Sequence, residues 1–242
     1  MGKEKEEPLR AYKNIVILTG AGVSAESGVA TFRDNDGLWE NHRIEDVATP
    51  EAYAANPELV QNFYNKRRAQ LKAVEPNAAH KALGRLQAEL PGKVTIVTQN
   101  VDNLHERGGA SAVVHMHGEL TKIRCRACAE VLDWVEDCTQ ETPCPSCSRT
   151  STLRPHIVWF GEMPFHMEEI AERLEVCDLF ISVGTSGNVY PAAGFVASVA
   201  HYGRAHTIEV NLEPSEGASM FAEHRRGKAG ELLPLLVEEL LS

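Results

Sequence analysis

The sequence has no run of about 18 consecutive apolar residues, which is the length that a membrane-spanning helix needs. The charged segment from Met1 to Arg10 is not followed by the apolar stretch of a secretory signal, so we expect a cytoplasmic protein. Basic residues are a minority as well, since 24 Lys and Arg stand against 34 Asp and Glu. The net charge of −10 is opposite in sign to that of a general binder of nucleic-acid phosphates. We therefore expect neither a nucleic acid nor a membrane as a partner.

Aromatic residues are scarce, at 6% of the chain, but hydrophobic residues reach 43%, which is enough for an ordinary globular core. The length of 242 residues suits one large domain or one domain that carries a smaller insertion. Cys138 and Cys177 have no evident partner in the sequence, and we expect both to be reduced. The sequence does not fix an oligomeric state, and a monomer is the simplest expectation.

The other four cysteines form two C-x-x-C pairs, Cys125 with Cys128 and Cys144 with Cys147, with 15 residues between the pairs. This spacing is typical of a zinc ion held by four thiolates in a tetrahedron. Disulfides or unrelated core cysteines are the alternative, although disulfides are rare in the reducing compartment that the sequence predicts. Because four thiolates fill the coordination shell, we expect this zinc to organise a small module and to take no part in chemistry.

Short apolar runs rich in β-branched residues alternate with helical patterns along most of the chain. The predicted strands lie at 14–19, 94–98, 179–183 and 207–210, and the predicted helices at 80–90, 167–176, 192–200 and 231–241. Such alternation indicates an α/β fold with a doubly wound, Rossmann-like parallel sheet. Two stretches break the rhythm, one punctuated by prolines and one that holds the cysteines. The predicted units are a Rossmann-like domain at 11–32, 78–118 and 156–242, a helical insertion at 33–77, and a zinc-ribbon module at 119–155.

The first predicted strand ends in a glycine-rich turn, Thr19-Gly20-Ala21-Gly22-Val23-Ser24-Ala25. Glycines between a strand and a helix let the backbone approach a pyrophosphate, whose charge the helix N-terminus favours. The turn alone is a weak signal, because an ordinary tight turn has the same composition. Further strand ends carry small or polar side chains, namely Gln99-Asn100-Val101-Asp102, Gly184-Thr185-Ser186 and Asn211-Leu212-Glu213. Since ligands of doubly wound folds bind at the carboxyl ends of strands, these ends predict a dinucleotide site.

His117 is the candidate general base. It lies downstream of the Gln99–Asp102 strand end, and Gly118 leaves room beside it. Histidine is the side chain best suited to accept the proton of a sugar hydroxyl near neutral pH. Most of the 10 histidines are expected to be bystanders, and His117 is singled out by its place in the pattern of motifs.

Taken in order, the motifs resemble those of the sirtuins, which are NAD-dependent protein-lysine deacylases, over almost the whole chain. The matching motifs are Gly20-Ala21-Gly22-Val23-Ser24, Thr31-Phe32-Arg33, Gln99-Asn100-Val101-Asp102, His117-Gly118, both cysteine pairs, Val158-Trp159-Phe160-Gly161-Glu162 and Gly184-Thr185-Ser186. The resemblance implies an NAD-binding Rossmann lobe, a zinc-ribbon lobe and an acyl-lysine tunnel in the cleft between them. It also implies transfer of the acyl group to ADP-ribose, with nicotinamide and O-acyl-ADP-ribose as products.

Roles for individual residues follow from the same resemblance. It implies that His117 activates a ribose hydroxyl, that Asn100 and Asp102 shape the nicotinamide pocket, and that Gln99 contacts the ribose. Phe32 would shield the reactive sugar carbon from water, which agrees with the need for a dry site when a weak nucleophile competes with water. The remaining NAD contacts fall on Gly20, Ala21, Gly22, Ser24, Ala25, Thr31, Arg33, Val101, Gly184, Thr185, Ser186, Asn211, Leu212, Glu213 and Ala229.

The resemblance also implies that the acyl-lysine protein or peptide binds as a strand. It would lie between an edge at Val158–Glu162 and the segment Gly187–Pro191, through main-chain hydrogen bonds that demand little of the flanking sequence. The implied contacts are Val158, Phe160, Gly161, Glu162 and Val189. From the residues alone, an ordinary buried strand is the alternative for this apolar run.

Tyr64 and Arg67 are three positions apart on a predicted helix, so they share one face. A phenol and a guanidinium on one face form a clamp for a carboxylate. Their position resembles that of sirtuins which remove acidic acyl groups, and Ala48 resembles the small pocket residue of those enzymes. Succinyl-lysine and malonyl-lysine are therefore expected substrates beside acetyl-lysine. A solvated helix face with a half-buried Tyr is the alternative.

Other functions remain compatible with these residues. Transfer of ADP-ribose to a protein acceptor uses the same nicotinamide cleavage, and an NAD oxidoreductase uses the same cofactor. A zinc-ribbon module that binds nucleic acid or a protein belongs to a different class, which the acidic net charge disfavours. One departure from the sirtuin pattern is Glu119, which stands where many sirtuins have a serine after the His-Gly pair.

Overall fold

The computed structural model describes residues 12–30, 38–39 and 42–242. Within these residues the strands are β1 Ile15–Thr19, β2 Leu38–Trp39, β3 His42–Arg43, β4 Val94–Thr98, β5 Val113–His115, β6 Gly118–Cys125, β7 Val131–Asp133, β8 Leu153–Ile157, β9 Leu179–Val183, β10 His206–Asn211 and β11 Glu223–Arg226. The α-helices are α1 Ile44–Val47, α2 Pro50–Ala55, α3 Pro57–Leu71, α4 Ala78–Glu89, α5 Leu104–Arg107, α6 Met167–Val176, α7 Phe195–Tyr202 and α8 Ala229–Leu241.

A parallel six-stranded sheet in the order β11-β10-β9-β1-β4-β5 forms the centre of the molecule. The chain begins in the middle with β1, continues outward through β4 and β5, and then returns to the other side of β1 with β9. The strand order therefore reverses between β1 and β9. In doubly wound sheets, the crevice outside the carboxyl ends of the strands at this reversal is where ligands bind.

The two faces of the sheet are covered by different helices, because alternate residues of a strand point to opposite faces. Ile15 and Ile17 belong to a core with α4 and α8, whereas Val16 and Leu18 belong to a second core with α6 and α7. Strand β1 is buried along its whole length, which explains its unbroken apolar sequence. The predicted doubly wound α/β fold is confirmed.

Helices α1 to α3 form the insertion between β1 and β4. Thr49 and Asn56 cap the N-termini of α2 and α3 by accepting backbone hydrogen bonds, and a proline follows each cap at the first helical position. The buried faces of these helices pack with Ile157 and Trp159 in a third apolar cluster. The insertion therefore covers the segment that leaves β8, next to the carboxyl ends of the central strands.

The cysteine module is a separate antiparallel sheet in the order β7-β6-β8. It has its own small core, which includes Ile123 and Leu153. Strand β6 leaves the larger lobe and strand β8 returns to it. Both do so beside His117, since Gly118 of β6 pairs with Ile157 of β8. The boundaries expected from the sequence, 33–77 for the helical insertion and 119–155 for the zinc-ribbon module, stay predictions.

Some elements differ from the sequence prediction. The predicted helix at 192–200 begins as a 3-10 turn at Ala192–Gly194 and continues as α7. The predicted last helix begins two residues earlier, at Ala229. Strands β5 and β11 were not predicted, because β5 has three residues and β11 is made of charged and polar side chains. No helix in the described ranges is both long enough and apolar enough to cross a membrane.

Candidate active site

A cavity of about 280 Å³ lies at the carboxyl ends of β1, β4, β9 and β10. It extends from the glycine turn after β1 to the inner face of the helical insertion. The predicted site residues that line it are Gly20, Ala21, Gly22, Ser24, Ala48, Tyr64, Arg67, Gln99, Asn100, Val101, Asp102, His117, Val158, Phe160, Gly161, Glu162, Gly184, Thr185, Ser186, Val189 and Asn211. One cavity thus joins the nucleotide motifs, the candidate base and the candidate acyl clamp.

A few predicted contacts do not line this cavity, namely Ala25, Leu212, Glu213 and Ala229. Ala25 is exposed in the second 3-10 turn after β1, and Ala229 is buried at the start of α8. Leu212 and Glu213 follow Asn211 on the surface. Thr31, Phe32 and Arg33 lie outside the described residues.

The backbone of the glycine turn after β1 packs directly against the backbone of the turn after β9. Gly22 N–H donates to the Gly184 carbonyl at 2.8 Å, and Gly184 has φ = +60°. A Cβ at Gly22 would lie 2.7 Å from Gly184 Cα, and a Cβ at Gly20 would lie 2.9 Å from the Gly184 carbonyl oxygen. Glycine is therefore required at these positions by close approach, which keeps the backbone open at the floor of the cavity.

Ser24 is the centre of a buried hydrogen-bond network in which each proton has a defined place. Ser24 Oγ donates to Asp102 Oδ2 at 3.0 Å and accepts from Asn100 Nδ2 at 3.0 Å. His80 Nδ1 accepts from Asn77 N–H at 3.3 Å, so its other nitrogen, Nε2, carries the proton. That Nε2 lies 3.4 Å from Ser24 Oγ, which accepts from it. The network presents an ordered set of polar groups at the end of β4.

Burial shifts the pKa values of these groups away from their ordinary range. Burial raises the pKa of the Asp102 carboxyl, against the hydrogen bonds from Leu104 N–H and Ser24. Burial also lowers the pKa of His80 to about 4 and that of His105 to about 3, so both imidazoles are neutral near pH 7. Asp102 lines the cavity, and His80 contacts Ser24 on its wall. Perturbed groups gathered beside one cavity in this way are typical of a functional site.

His117 has the geometry of a general base. Its Nδ1 lies 3.1 Å from the carbonyl oxygen of Gln99. A carbonyl only accepts hydrogen bonds, so Nδ1 carries the proton and Nε2 keeps its lone pair. Burial lowers the pKa of His117, partly offset by this hydrogen bond. The imidazole is therefore neutral and able to accept a proton near neutral pH.

Three strand ends are tied together beside His117. Gln99 Nε2 donates to Thr185 Oγ1 at 3.1 Å, and Asn211 Nδ2 donates to the Thr185 carbonyl at 2.7 Å. These bonds fix the ends of β4, β9 and β10 relative to one another. The side chains predicted from separate strand ends therefore form one continuous wall.

The other end of the cavity is formed by the insertion. Tyr64 and Arg67 lie on α3 and are buried, at 0% and 7% exposure, and Ala48 is buried beside them. The alternative of a solvated helix face is thus wrong. Trp159 Nε1 donates to the Tyr64 hydroxyl at 2.9 Å. Burial raises the pKa of the Tyr64 hydroxyl, so it stays protonated and can donate.

The segment predicted to offer a strand edge, Val158–Glu162, is not a strand in this structure, because β8 ends at Ile157. Val158 N–H donates to the His117 carbonyl at 2.9 Å, and Phe160 N–H donates to the Ala48 carbonyl at 3.0 Å. Glu162 N–H closes a turn on the Trp159 carbonyl. The segment is an irregular wall of the cavity with Phe160 46% exposed at its rim.

The four predicted metal-ligating cysteines come together, and their Sγ atoms all lie within 4.8 Å of one another. Cys125 and Cys147 are 3.7 Å apart at sulfur, and Cys128 and Cys144 are 3.8 Å apart. These distances exclude disulfides, whose sulfurs are about 2.05 Å apart. They match the edge of a tetrahedron with Zn–S bonds of about 2.3 Å. The residues fit a structural zinc ion that would stabilise the module.

Sequence reasoning missed several residues of the site. The wall also includes Val29, Ala30, Ile157, Trp159, Pro164 and Tyr190. His80 gave no signal, because it lies in an ordinary helical pattern far along the chain from Ser24. Trp159 belongs to the motif Val158–Glu162, but the sequence predicts no contact for it, and only its hydrogen bond to Tyr64 connects it with the candidate acyl clamp.

A family model described as the Sir2 family matches residues 20–191. An NAD-dependent protein deacylase of Vibrio vulnificus (strain YJ016) is 62% identical over 233 residues, which cover 96% of this chain and 95% of that protein.

Solved structures of Sir2 proteins also superpose closely. A Sir2 homologue in complex with NAD has a TM-score of 0.86 at 39% identity, covering 96% of this chain and 91% of that one. A Sir2 protein in complex with a p53 peptide and NAD+ has a TM-score of 0.80 at 27% identity, covering 94% and 93%.

Proposed function

Because this chain belongs to the Sir2 family, we propose that it is an NAD-dependent deacylase of protein lysine side chains. The proposed acyl groups are acetyl and, in addition, the acidic succinyl and malonyl groups. The proposed products are free lysine, nicotinamide and O-acyl-ADP-ribose. One observation carries this proposal: a single cavity joins a glycine-lined nucleotide end, the base His117, and an end that bears Tyr64 and Arg67.

The nucleotide end fits NAD by its chemistry. Gly20, Gly22 and Gly184 let the turns after β1 and β9 pack backbone against backbone, and all three line the end of the cavity where a diphosphate would bind. NAD would supply the ribose whose hydroxyl takes up the acyl group, with nicotinamide as the leaving group. Asn100 and Asp102, held by Ser24, are proposed to bind the polar amide of the nicotinamide. Their ordered hydrogen bonds mean that little reorganisation is needed when the cofactor binds.

His117 is proposed to accept a proton from a ribose hydroxyl through Nε2. The Gln99 carbonyl fixes the tautomer in which Nε2 is free of a proton. Gln99 is also bonded to Thr185, so the carbonyl that orients the imidazole is held by the wall of the site. A neutral, oriented imidazole of lowered pKa is suited to this proton transfer.

The end of the cavity that the insertion forms favours acidic acyl groups, because a positive charge and hydrogen-bond donors are buried there. Arg67 presents a guanidinium whose planar donors match a carboxylate, and Tyr64 offers a phenol. Ala48 occupies little space beside them, which favours a chain longer than acetyl. A carboxylate bound there would form charge-assisted hydrogen bonds with the guanidinium.

The protein substrate is proposed to bind as an extended segment between Val158–Glu162 and Gly187–Pro191. Both segments are at the rim of the cavity, and Val189 and Tyr190 line it from the second. Main-chain pairing would give affinity with modest dependence on sequence. The protein is further proposed to act as a monomer in the cytoplasm, where its cysteines stay reduced.

The test uses the purified protein with NAD and two peptides that differ only in an acetyl or a succinyl group on the same lysine. Mass spectrometry is expected to show loss of both acyl groups, with one nicotinamide and one O-acyl-ADP-ribose formed for each. Absence of desuccinylation would reject the acidic acyl assignment alone. Label from adenine-labelled NAD that ends on protein and not on a small product would reject deacylation.

A further inference from the structure

The indole of Trp159 is held in one orientation from three sides. The side chain is only 2% exposed. Its backbone N–H donates to Glu162 Oε2 at 2.9 Å, and the guanidinium carbon of Arg154 lies 3.3 Å from the ring centroid. The indole N–H donates to the Tyr64 hydroxyl at 2.9 Å. The ring therefore cannot turn without breaking contacts at its face and its nitrogen, and the backbone that carries it is held by Glu162.

These supports are themselves fixed. Arg154 Nη1 and Nη2 donate to Glu162 at 2.7 and 3.0 Å, and Arg124 donates to the same carboxylate at 3.1 Å. Arg124 lies on β6 directly before Cys125, and Arg154 lies on β8. The orientation of the indole is thus fixed from the cysteine module as well as from the insertion to which Tyr64 belongs.

The direction of the Trp159–Tyr64 hydrogen bond is fixed by chemistry. An indole nitrogen only donates, so the Tyr64 oxygen is the acceptor. The proton of the Tyr64 hydroxyl must then point away from Trp159. Tyr64 and Arg67 are one helical turn apart, line the same cavity and interact electrostatically, so a carboxylate bound by Arg67 would lie near the Tyr64 hydroxyl.

We propose that Trp159 is a specificity-determining residue that acts by positioning: its indole N–H directs the Tyr64 hydroxyl proton toward the carboxylate of an acidic acyl group. This inference rests on the proposed activity toward succinyl and malonyl groups. Acetyl has no carboxylate, so its removal does not use the Tyr64 proton. Trp159 therefore sets the preference between acyl groups without touching the reacting atoms.

The test is a double-mutant cycle with Trp159→Phe and Tyr64→Phe, assayed on succinyl and acetyl peptides of one sequence. Phe keeps an aromatic ring for Arg154 and removes the indole N–H. For Trp159→Phe we expect the succinyl-to-acetyl ratio of kcat/KM to fall about three- to tenfold, mainly through the KM for the succinyl peptide. In the Tyr64→Phe background the same change is expected to have almost no effect on the succinyl-to-acetyl ratio.

The ratio within one preparation does not depend on the fraction of folded enzyme, so partial unfolding of a variant does not disturb the test. Trp134→Phe, on the cysteine module, is the matched control and is expected to leave the ratio unchanged. Equal losses from Trp159→Phe in both backgrounds, or on both acyl groups, would overturn the role of Trp159. A ratio that is unchanged in Tyr64→Phe itself would instead overturn the acyl clamp, and this inference with it.

Discussion

Asn65 and Cys138 are joined by two hydrogen bonds of 3.0 Å, in which the side-chain amide of one pairs with the backbone of the other. Both residues are buried. Asn65 lies on α3 next to Tyr64, and Cys138 lies in the cysteine module. This pair therefore fixes the helix that carries Tyr64 and Arg67 to the module that holds the four clustered cysteines.

Asn65→Ala is expected to destabilise the protein, because it leaves the N–H and the carbonyl of Cys138 buried without these partners. Each such group costs about 1–3 kcal/mol, so we expect the free energy of unfolding to fall by about 2–6 kcal/mol in urea denaturation. Asn62→Ala is the matched control, since Asn62 is exposed on the same helix. Equal stability of the two variants would show that the Asn65–Cys138 pair does not hold the helix.

The pH dependence of deacylation is expected to report the pKa of His117. Burial lowers that pKa below the ordinary value of 6.5. The neutral base is active, so kcat/KM is expected to be constant above about pH 6.5 and to decline as acidification protonates Nε2. A rate measurement from pH 5 to pH 8.5 checks this, and a decline that is centred above pH 6.5 contradicts it.

His117→Ala is expected to lower deacylation about 10²- to 10⁴-fold, the usual contribution of a positioned base. His201→Ala provides the control, because His201 is exposed at the end of α7. Both variants are compared by the amount of O-acyl-ADP-ribose formed at pH 7.5. Retention of the parental rate by His117→Ala would exclude this imidazole as the base.

Arg67→Met is expected to reduce desuccinylation about tenfold to a hundredfold and to affect deacetylation little. The change removes a charge-assisted hydrogen bond to the acyl carboxylate, which is worth about 1.5–3 kcal/mol. Lys66→Met is the control, since Lys66 is exposed on the same helix and also loses one positive charge. The measurement is the steady-state rate on two peptides that differ only in the acyl group. A similar loss of rate on both peptides would argue against the clamp.

The parts of this structure that could be predicted from the sequence are those in which local pattern and tertiary role agree. Strand β1 is buried on both faces, so its apolar run signals a central strand. The cysteine spacing signals the metal site, because the geometry of a tetrahedron restricts it. Strand β11 is the opposite case: it consists of polar residues and is defined only by its pairing with β10.

The site residues that escaped prediction are those whose role depends on a partner distant in sequence. His80 is a helical residue by pattern, and its imidazole becomes part of the site only because Ser24 packs against it. The segment 158–162 has the composition of a strand, but its N–H groups bond to Ala48, His117 and Trp159 and close an irregular turn. The sequence pattern predicts the type of secondary structure, whereas these long-range contacts determine the backbone conformation that the segment adopts.

Gly22→Ala is expected to weaken cofactor binding and to destabilise the protein. The added Cβ would lie 2.7 Å from Gly184 Cα and 2.8 Å from its carbonyl oxygen, both of which belong to backbone that has no free rotamer to adopt. The turns after β1 and β9 must then separate, at a cost of about 1–3 kcal/mol typical of overpacking. Because both turns line the cavity, the distortion reaches the place proposed for the diphosphate.

Gly194→Ala is the matched control, since its Cβ would meet only Tyr190 ring atoms at 3.7 and 3.9 Å, which is ordinary contact. Calorimetric titration with ADP-ribose is expected to show at least about tenfold weaker binding for Gly22→Ala, equivalent to about 1.4 kcal/mol, and parental affinity for Gly194→Ala. Thermal unfolding is expected to rank the two variants in the same order. If Gly22→Ala binds ADP-ribose as tightly as the parent, the close approach of these two turns is not what shapes the nucleotide site.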